Sequence, residues 1–497
     1  MSEWLSTLES LNSRALPGWY DQAKFGIFIH WGLFSIPAFA PNLGKISEVF
    51  VNHYDRAVTL TPYCEWYENA IRDPQSPSAA FHKSNYSDAP YATFKEEFNT
   101  GLAQWDPDSW ADLFSKAGAK YVVLVSKHHD GYCLWPSAIK NSSRDNWFSE
   151  RDIVGELAAA VRKRNMRFGL YYSGGIDWSF NPEPVKTFAE FVGSVPAGKY
   201  PQYAKDQILE LIQKYQPDIL WNDISWPDNQ NTLFDLFAQY YNQVKEGVVN
   251  DRWRHQTPLS GLMRTKIARR LLDWVAKRYI QRNPDKVDGV VPQEIPHSDF
   301  RTPEYTSFKD IQSKKWETTK GMSHSFGFNR NDTEEDYEAA EALLRGLIDT
   351  ISKNGNLLLN VGPRGNDAQI PDPQVQRLLF LGDWLHKNGE AIYATRPWTR
   401  AEDTSLEGCP VRFTCKDNKL YVFLMDQNTL TSVSLKNVPG IKKVSLLETQ
   451  KVLPFQYQEE TLQIQFKDSP EAFEAESISV LVMEPMPEND GISLKPN

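Results

Sequence analysis

The chain of 497 residues is long enough for a large barrel domain and one smaller domain, and its 41% hydrophobic and 24% charged residues are ordinary for a folded protein. Its formal net charge of −10, without a dominant basic stripe, argues against a nucleic-acid-binding protein. The polar N-terminal residues lack the features of a signal peptide, and no apolar run approaches the roughly 20 residues of a membrane span, so we expect a cytoplasmic protein that binds no membrane.

Six short apolar runs, several of which end in polar or charged residues, predict β-strands. In chain order they are Phe25–His30, Tyr121–His128, Arg167–Tyr172, Asp218–Asp223, Gly247–Asp251 and Asn356–Val361. Apolar residues at helical spacing separate many of them, most clearly at Asp108–Phe114, Asp152–Asn165 and Tyr203–Tyr215. This alternation is typical of a parallel barrel or an open doubly wound sheet. Residues 322–329 are too irregular to predict a further strand, so a count of eight strands is partly inferred.

The pattern changes after Trp398, where short strands are divided by Gly, Pro, Asn and Asp. These strands are predicted at Arg412–Cys415, Leu420–Met425, Thr431–Leu435 and Ile478–Val482. We expect a small antiparallel β-sandwich at residues 396–497 that packs against a catalytic domain at residues 1–395. Four cysteines without metal or redox spacing are expected to be reduced thiols, although two of them could pair; they are Cys64, Cys133, Cys409 and Cys415.

A basic amphipathic helix is predicted within an inserted segment at about residues 254–297, which interrupts the barrel pattern. Its apolar stripe comprises Ile267, Leu271, Trp274, Val275 and Tyr279. Seven Arg and Lys side chains between positions 264 and 282 surround this stripe. We expect a solvated helix that packs on the barrel through its apolar stripe, because most amphipathic helices face a core. A subunit contact and a lid over the active site are the alternatives.

Three histidines lie at the ends of the first two predicted strands. His30 ends the first strand, and His128 and His129 end the second. Adjacent residues of a regular strand point to opposite faces, but at a strand end the chain can turn both side chains inward. The three could bind zinc, donate hydrogen bonds to substrate hydroxyl groups or serve the fold alone. Because their spacing matches no metal-binding motif, we favour hydrogen bonding to a substrate.

A carboxylate and a guanidinium group follow the next strands of the predicted barrel. Asp223 ends the fourth strand after Trp221, where a carboxylate beside aromatic rings could attack an anomeric carbon. It could equally cap the loop or helix that follows. Arg252 lies just after the fifth strand, where it could clamp a ligand or pair with a neighbouring aspartate. The residues alone leave these alternatives open.

An ordered set of segments across the barrel resembles the α-L-fucosidases of glycoside hydrolase family 29, of the bacterial, broad-specificity type. The matching segments are Ala23–Gly32, Glu65–Tyr67, Ser126–Gly131, Phe168–Gly175, Ile219–Asp223, Val249–Trp253, Ser325–Asn329 and Asn356–Pro363. One such motif is weak, whereas the ordered set is specific. The resemblance implies a (β/α)₈ TIM-like barrel followed by a C-terminal antiparallel β-sandwich.

The resemblance also implies roles for particular residues. Asp223 matches the family's nucleophile, and Glu304, in Thr302–Tyr305, resembles its acid/base. Phe326 would contact the C5 methyl group of fucose. The rest of the implied pocket is His30, Glu65, Trp66, His128, His129, Tyr171, Trp221 and Arg252. The inserted segment precedes Glu304 and is a departure from the family pattern, so Glu294 is a second candidate for the acid/base.

These roles predict a retaining exo-α-L-fucosidase that acts by double displacement, with carboxyl groups roughly 5–5.5 Å apart. It would hydrolyse fucosylated oligosaccharides or glycosides and could also transfer fucose, without metal or organic cofactor. A catalytically silent fucose-binding protein and a metal-dependent hydrolase that uses the three histidines are the alternatives. A homo-oligomer is expected, since family members often form one.

Overall fold

A computed structural model describes residues 3–284, 289, 291–426, 430–466 and 478–486 of the chain. Its helices are α1 (Leu8–Asn12), α2 (Gly18–Ala23), α3 (Ile46–His53), α4 (Tyr67–Ile71), α5 (Pro77–Tyr86), α6 (Phe94–Leu102), α7 (Pro107–Lys116), α8 (Ile153–Lys163), α9 (Phe188–Val192), α10 (Tyr200–Tyr215), α11 (Gln230–Gln243), α12 (Lys266–Arg282), α13 (Ala340–Ser352) and α14 (Asp372–Asn388). No helix among these residues is both long and apolar enough to cross a membrane.

Seven parallel strands form the main sheet, in the order β5-β4-β3-β2-β1-β7-β6. They are β1 (Phe25–Ile29), β2 (Tyr121–Lys127), β3 (Arg167–Ser173), β4 (Ile219–Asp223), β5 (Val248–Val249), β6 (Trp316–Lys320) and β7 (Gly355–Val361). Helices follow most of these strands in the chain, as parallel connections require. The predicted alternation of strands and helices is therefore confirmed.

Segment 299–305 joins the two edges of this sheet. The Asp299 amide donates to the Val249 carbonyl oxygen of β5 at 2.9 Å. The Arg301 amide donates to the Lys315 carbonyl oxygen at 3.0 Å, and the Tyr305 amide donates to that of Thr319 in β6 at the same distance. The segment thus lies between β5 and β6, where it occupies the eighth strand position and closes the (β/α)₈ barrel.

Strand β6 was missing from the sequence prediction, and the reason is visible in its residues. Only Trp316 among its five residues is a large apolar residue, and the rest are Glu, two Thr and Lys. Polar side chains are accommodated here because Glu317 points into the barrel and accepts hydrogen bonds from aromatic residues of other strands. A strand whose inner face carries a buried carboxyl group has no apolar pattern to detect.

Alternate residues of each strand face the interior of the barrel and the surrounding helices. In β1, Ile27 and Ile29 pack in the large core between strands and helices, whereas Phe28 packs inside the barrel. In β4, Ile219 and Trp221 lie on the inner side. Asp223 is two residues further along that same face, so the period of the strand directs its carboxylate into the top of the barrel.

The C-terminal part forms two antiparallel sheets, of orders β12-β15-β10-β9-β8 and β11-β14-β13, as the sequence predicted. Its strands are β8 (Arg396–Thr404), β9 (Pro410–Lys416), β10 (Lys419–Leu424), β11 (Ser432–Lys436), β12 (Lys443–Leu446), β13 (Phe455–Gln458), β14 (Thr461–Gln465) and β15 (Ser479–Glu484). These sheets have their own apolar core. Arg412 pairs with Asp349 of α13 at 2.7 Å, which attaches the sheets to the barrel.

The four cysteines are free thiols.

The orientation of α12 differs from the prediction. The helix begins and ends close to the predicted bounds, but its apolar stripe faces solvent, and Ile267 and Trp274 are among its exposed residues. The opposite side contacts the barrel through Asp273, which accepts hydrogen bonds from Tyr54 and Thr187. The expected packing of the apolar stripe on the barrel is therefore wrong, because polar contacts set the rotation of the helix.

Candidate active site

Asp223 lies at the carboxyl end of β4, where its buried carboxylate accepts three hydrogen bonds. Tyr171 Oη donates to Oδ2 at 2.8 Å, Arg252 Nη1 donates to Oδ1 at 3.1 Å, and the amide of Ile224 donates to Oδ1 at 2.8 Å. Donors of this kind stabilise the ionised carboxylate and orient its oxygen atoms. The alternative of a helix cap does not describe this contact set, since two of the three donors are side chains of other strands and loops.

The backbone after Asp223 turns sharply. Ile224 has φ of +68°, which is rare for a β-branched residue, and the Ser225 amide donates to the Asp223 carbonyl oxygen at 2.9 Å. This conformation brings the amide of Ile224 back onto the carboxylate of the preceding residue. Backbone strain of this type costs on the order of 1–3 kcal/mol and clusters at functional sites.

Arg252 connects Asp223 to a second carboxyl group, that of Glu304. Its Nη2 lies 2.8 Å from Glu304 Oε2, while Nη1 contacts Asp223. The guanidinium group is held in place by Thr302, whose Oγ1 accepts from Nε at 3.1 Å and whose carbonyl oxygen accepts from Nη2 at 3.2 Å. Asp251 in turn accepts hydrogen bonds from the amide and hydroxyl of Thr302. These contacts of Thr302 with Arg252 and Asp251 hold segment 299–305 against the loop after β5, beside the two carboxyl groups.

The surroundings move the pKa values of the two carboxyl groups in opposite directions. Burial alone would raise the pKa of Asp223. The electrostatic effects of Arg252 and His129, together with the hydrogen bonds from Tyr171 and Ile224, outweigh burial and lower the pKa. For Glu304, burial dominates over Arg252, and the nearby charge of Asp223 adds to it, so the pKa is raised. The two pKa values are thus moved apart in the directions that suit a nucleophile and a general acid.

The three histidines lie in a single cluster beside Asp223. The rings of His128 and His129 are 4.2 Å apart, His30 lies 5.6 Å from His128, and His129 Nε2 is 4.0 Å from Asp223 Oδ2. Burial lowers the pKa of His30 to about 3 and that of His129 to about 4, and it also lowers the pKa of His128. All three rings are therefore neutral at pH 7.

Neighbouring groups determine the tautomers of two of these histidines. The amide nitrogen of Asn360 donates to the Phe326 carbonyl oxygen, so its Oδ1 faces His30 Nδ1, which must donate across 2.6 Å. Ser173 donates to the carbonyl oxygen of Ile176 and accepts from His129 Nδ1 at 2.6 Å. Each histidine then keeps an unprotonated Nε2 that can accept a hydrogen bond from a sugar hydroxyl group.

Aromatic rings form the walls and floor of the site. Phe326 stacks on His30 with ring centroids 4.9 Å apart, and Trp66 meets His129 edge-on at 5.0 Å. Trp221 stacks on Tyr171 at 5.5 Å, and the guanidinium carbon of Arg252 lies 4.8 Å from the Trp221 ring. Flat apolar rings beside hydrogen-bonding groups suit the alternating C–H and O–H surfaces of a sugar.

Glu65 adds a third buried carboxyl group. One of its oxygens accepts from the amide of Gly327 at 2.9 Å, and Ser325 also contacts it. Burial raises the pKa of Glu65 to about 7 despite these donors. Both of its protonation states are therefore accessible near neutral pH, and it can donate to or accept from a ligand hydroxyl group.

The structure joins ten residues of the predicted site through side-chain contacts; these are His30, Trp66, His128, His129, Tyr171, Trp221, Asp223, Arg252, Glu304 and Phe326. Glu65 is held beside them by the amide of Gly327, the residue after Phe326. Glu294, the second candidate for the acid/base, lies elsewhere. Its side chain is 71% exposed and pairs with Arg301. It contacts none of these residues within the described part of the chain.

Several supporting residues were not singled out from the sequence. Asn360 and Ser173 orient histidines, Thr302 holds Arg252, and Tyr63 donates to Glu304 at 3.5 Å. Asn360 and Ser173 lie at the ends of β7 and β3, so the rule that found Asp223, a polar residue at a strand end, could have found them too. Within the described ranges, no three His, Cys, Asp or Glu residues are arranged to hold a metal ion.

Comparisons with known proteins point in one direction. The family model for alpha-L-fucosidase matches residues 2–281 and 268–390, and the two stretches overlap inside α12. The tissue alpha-L-fucosidase of Bos taurus is 35% identical, over 89% of this chain and 82% of that protein. The alpha-L-fucosidase of Dictyostelium discoideum is 34% identical, over 79% of this chain and 74% of its own.

Solved structures agree with the sequence matches. An alpha-fucosidase from Thermotoga maritima in complex with fucose is 37% identical, with coverage of 97% of this chain and 100% of that one and a TM-score of 0.80. An alpha-L-fucosynthase from Thermotoga maritima in complex with alpha-L-Fuc-(1-2)-beta-L-Fuc-N3 is 37% identical, with the same coverage and a TM-score of 0.81. The similarity spans both the barrel and the C-terminal sheets.

Proposed function

This chain belongs to the α-L-fucosidase family of glycoside hydrolases, and from that premise we propose that it removes terminal α-L-fucose with retention of configuration. Asp223 is the nucleophile and Glu304 the acid/base of this proposal. The observation that carries it is the pair of carboxyl groups on one guanidinium group, with pKa values moved apart by their surroundings. Because the two carboxyl groups contact the two terminal nitrogens of the same guanidinium group, we expect them to lie close together. Retaining glycosidases have their two carboxyl groups roughly 5–5.5 Å apart.

In the first step, Asp223 attacks the anomeric carbon while the bond from that carbon to the glycosidic oxygen breaks. Glu304 gives its proton to the departing oxygen, so the leaving group departs as a neutral alcohol. The new bond joins the anomeric carbon to an Asp223 oxygen on the opposite face of the ring. This covalent fucosyl-enzyme has the inverted configuration.

In the second step, water attacks the anomeric carbon and the bond to Asp223 breaks. Glu304, now ionised, takes the proton of the water and returns to its starting state. Two inversions at one carbon restore the original configuration. A sugar hydroxyl group in place of water would give transfer of fucose instead of hydrolysis, which is a second outcome of the same intermediate.

The other residues of the network bind and orient the sugar. The free Nε2 atoms of His30 and His129 accept hydrogen bonds from hydroxyl groups, and Glu65 adds a carboxyl group of adjustable charge. Phe326 offers an apolar face to the C5 methyl group of fucose. Holding the ring in one orientation converts attack into an intramolecular event, which supplies much of the rate enhancement in such sites.

The metal-dependent alternative finds little support in these contacts. The Nδ1 atoms of His30 and His129 already face Asn360 and Ser173, and the spacing of the three histidines in the sequence matches no metal-binding motif. A catalytically silent fucose-binding protein would lack a functional acid/base. The contact of Glu304 with Arg252 and its raised pKa support an active enzyme with Glu304 as the acid/base.

The test is the initial rate on an aryl α-L-fucoside for the wild type and for Asp223→Gly, each with and without azide. We expect the variant to lose nearly all turnover and azide to restore it as a β-fucosyl azide, because azide occupies the space of the missing carboxylate. Asp228→Gly removes a carboxylate from the following loop and is the matched control; it is expected to keep wild-type activity. Full activity of Asp223→Gly without azide would refute the assignment.

The stereochemical outcome is read separately. Proton NMR of the first sugar released by the wild type distinguishes the α from the β anomer before mutarotation equilibrates them. The α anomer is expected for a retaining enzyme. Release of the β anomer would require an inverting mechanism and a water between the two carboxyl groups, which contradicts the proposal.

A further inference from the structure

The outer stripe of α12, made of Ile267, Leu271, Trp274, Val275 and Tyr279, is an uncovered apolar surface. These side chains are between 49 and 83% exposed. Fifteen large hydrophobic side chains are exposed among the described residues, and six of them fall between Leu262 and Tyr279. Exposed apolar residues are ordinary when scattered, but a concentrated patch marks an interaction surface.

Contacts on the opposite side of the helix hold the outer stripe toward solvent. Asp273 accepts hydrogen bonds from Tyr54 Oη at 2.9 Å, Thr187 Oγ1 at 3.0 Å and the Ala189 amide at 3.0 Å. Lys277 adds an ion pair with Asp55 at 2.6 Å. Rotating the helix to bury the outer stripe would break these bonds and leave Asp273 without its donors, so the exposure is built into the packing of the helix.

We propose that the outer stripe is the docking surface for a second copy of this chain. A large side chain presents on the order of 150–250 Å² when fully exposed. The five side chains of the outer stripe and Leu262 are about half exposed or more, so together they present roughly 600 Å² of apolar area. A stable interface buries about 800 Å² from each partner, of which roughly 56–65% is apolar. The stripe by itself therefore supplies the apolar area that one side of a stable contact needs.

Charge complementarity favours the same occupant. Residues 264–282 carry seven Arg and Lys and one Asp, a net charge of +6, so the remaining residues of the chain together carry −16. The basic rim of the stripe, which includes Arg270 and Arg278, is thus complementary to the acidic remainder of another copy. Two copies of the rim would repel each other, so we expect the stripe to meet a different surface of the second copy, as in a head-to-tail ring. An anionic lipid surface, the other partner for a basic amphipathic helix, would be repelled by the rest of the chain.

The docking surface lies close to the active site. Helix α12 is bonded through Asp273 to the start of α9. On its other side, α9 places Phe191 against Trp66, with ring centroids 5.9 Å apart. Trp66 in turn contacts His129 at 5.0 Å, beside Asp223. A second copy bound at the outer stripe would therefore brace the wall of the pocket that Trp66 forms.

The test is the mass of the full-length protein by sedimentation equilibrium. The wild type is expected to be an oligomer, and Leu271→Glu/Trp274→Glu is expected to weaken assembly by roughly 10²-fold or more, since buried anchor residues dominate interfaces. Leu406→Glu/Val452→Glu places the same change on two exposed side chains between strands of the C-terminal part and is the matched control. Far-UV circular dichroism of all three confirms folding, which exposed substitutions should not disturb.

Three results would overturn the proposal. The first is a wild type that sediments as a monomer at micromolar concentration, and the second is a stripe variant that keeps the wild-type mass. The third is an equal loss of assembly in the control variant. Co-sedimentation of a monomeric wild type with phosphatidylserine–phosphatidylcholine vesicles, lost in the stripe variant, would assign the surface to lipid instead.

Discussion

Replacing Arg252 by methionine should move the whole pH profile of the enzyme upward. Arg252 lowers the pKa of Asp223, and it also opposes the burial that raises the pKa of Glu304. Asp223 must be ionised to attack, so activity is lost as pH falls through its pKa. Glu304 must be protonated to donate, so activity is lost as pH rises through its pKa. Without the guanidinium charge both pKa values rise, and both limbs of the profile move to higher pH.

The size of the shift follows from the contacts. Arg252 Nη1 is 3.1 Å from Asp223 and Nη2 is 2.8 Å from Glu304, which puts the centres of charge about 4 Å apart. At an effective dielectric constant of about 20, such a pair interacts by about 4 kcal/mol, equivalent to about 3 pKa units. Measured shifts beside an arginine are about 1–3 units, so we expect each limb to rise by that amount.

The assay is kcat/KM for an aryl α-L-fucoside between pH 4 and 10, because that ratio reports ionisations of the free enzyme. Arg252→Lys keeps the charge and is the control; its limbs should stay near those of the wild type even if its rate falls. A profile of Arg252→Met that is lower but unmoved would refute the electrostatic argument and leave Arg252 a binding residue. If the acidic limb moved upward and the basic limb stayed in place, the pKa of Asp223 would depend on Arg252 and that of Glu304 would not.

Three further predictions follow from the site. Glu304→Gln should lower kcat/KM for fucosides with poor leaving groups by about 10²–10⁴-fold, whereas Glu294→Gln, an exposed control, should not; equal losses would contradict the assignment. Burial raises the pKa of Glu317 to about 7, so stability of the wild type should decline as pH rises from about 4.3 toward 7, and Glu317→Gln should flatten the dependence of Tm on pH over that range. An unchanged slope would mean that Glu317 is ionised throughout. Exhaustive dialysis against a chelator should leave activity intact, and loss that Zn²⁺ restores would support metal-dependent hydrolysis by the histidines.

Local patterns in the sequence were enough for much of the barrel. Runs such as Phe25–His30 and Asp218–Asp223 predicted strands because buried strands are short, apolar and bounded by polar residues. The inward face of β4 repeats every second residue, so a carboxylate at its end points into the top of the barrel. Strand β6 escaped detection because its inner face carries Glu317 in place of an apolar side chain.

The association of Asp223 with Glu304 could not be obtained from local patterns. Arg252 contacts one carboxyl group 29 residues before it in the chain and another 52 residues after it. Only the closure of the barrel by segment 299–305 brings these strand ends to one edge. The resemblance to known fucosidases suggested Glu304, whereas its distance from Arg252 and the exposure of Glu294 are properties of the folded chain.

The sequence by itself determined that α12 is a helix with one apolar and one basic side, because helical spacing of apolar residues is a local property. Which side faces the barrel was decided by the tertiary structure. Asp273 accepts hydrogen bonds from Tyr54, from Thr187 before α9 and from the amide of Ala189 in α9. These hydrogen bonds hold the apolar side of α12 toward solvent. The partners that a single polar residue meets lie far away in the chain, so periodicity predicts the stripe but cannot predict the surface that covers it.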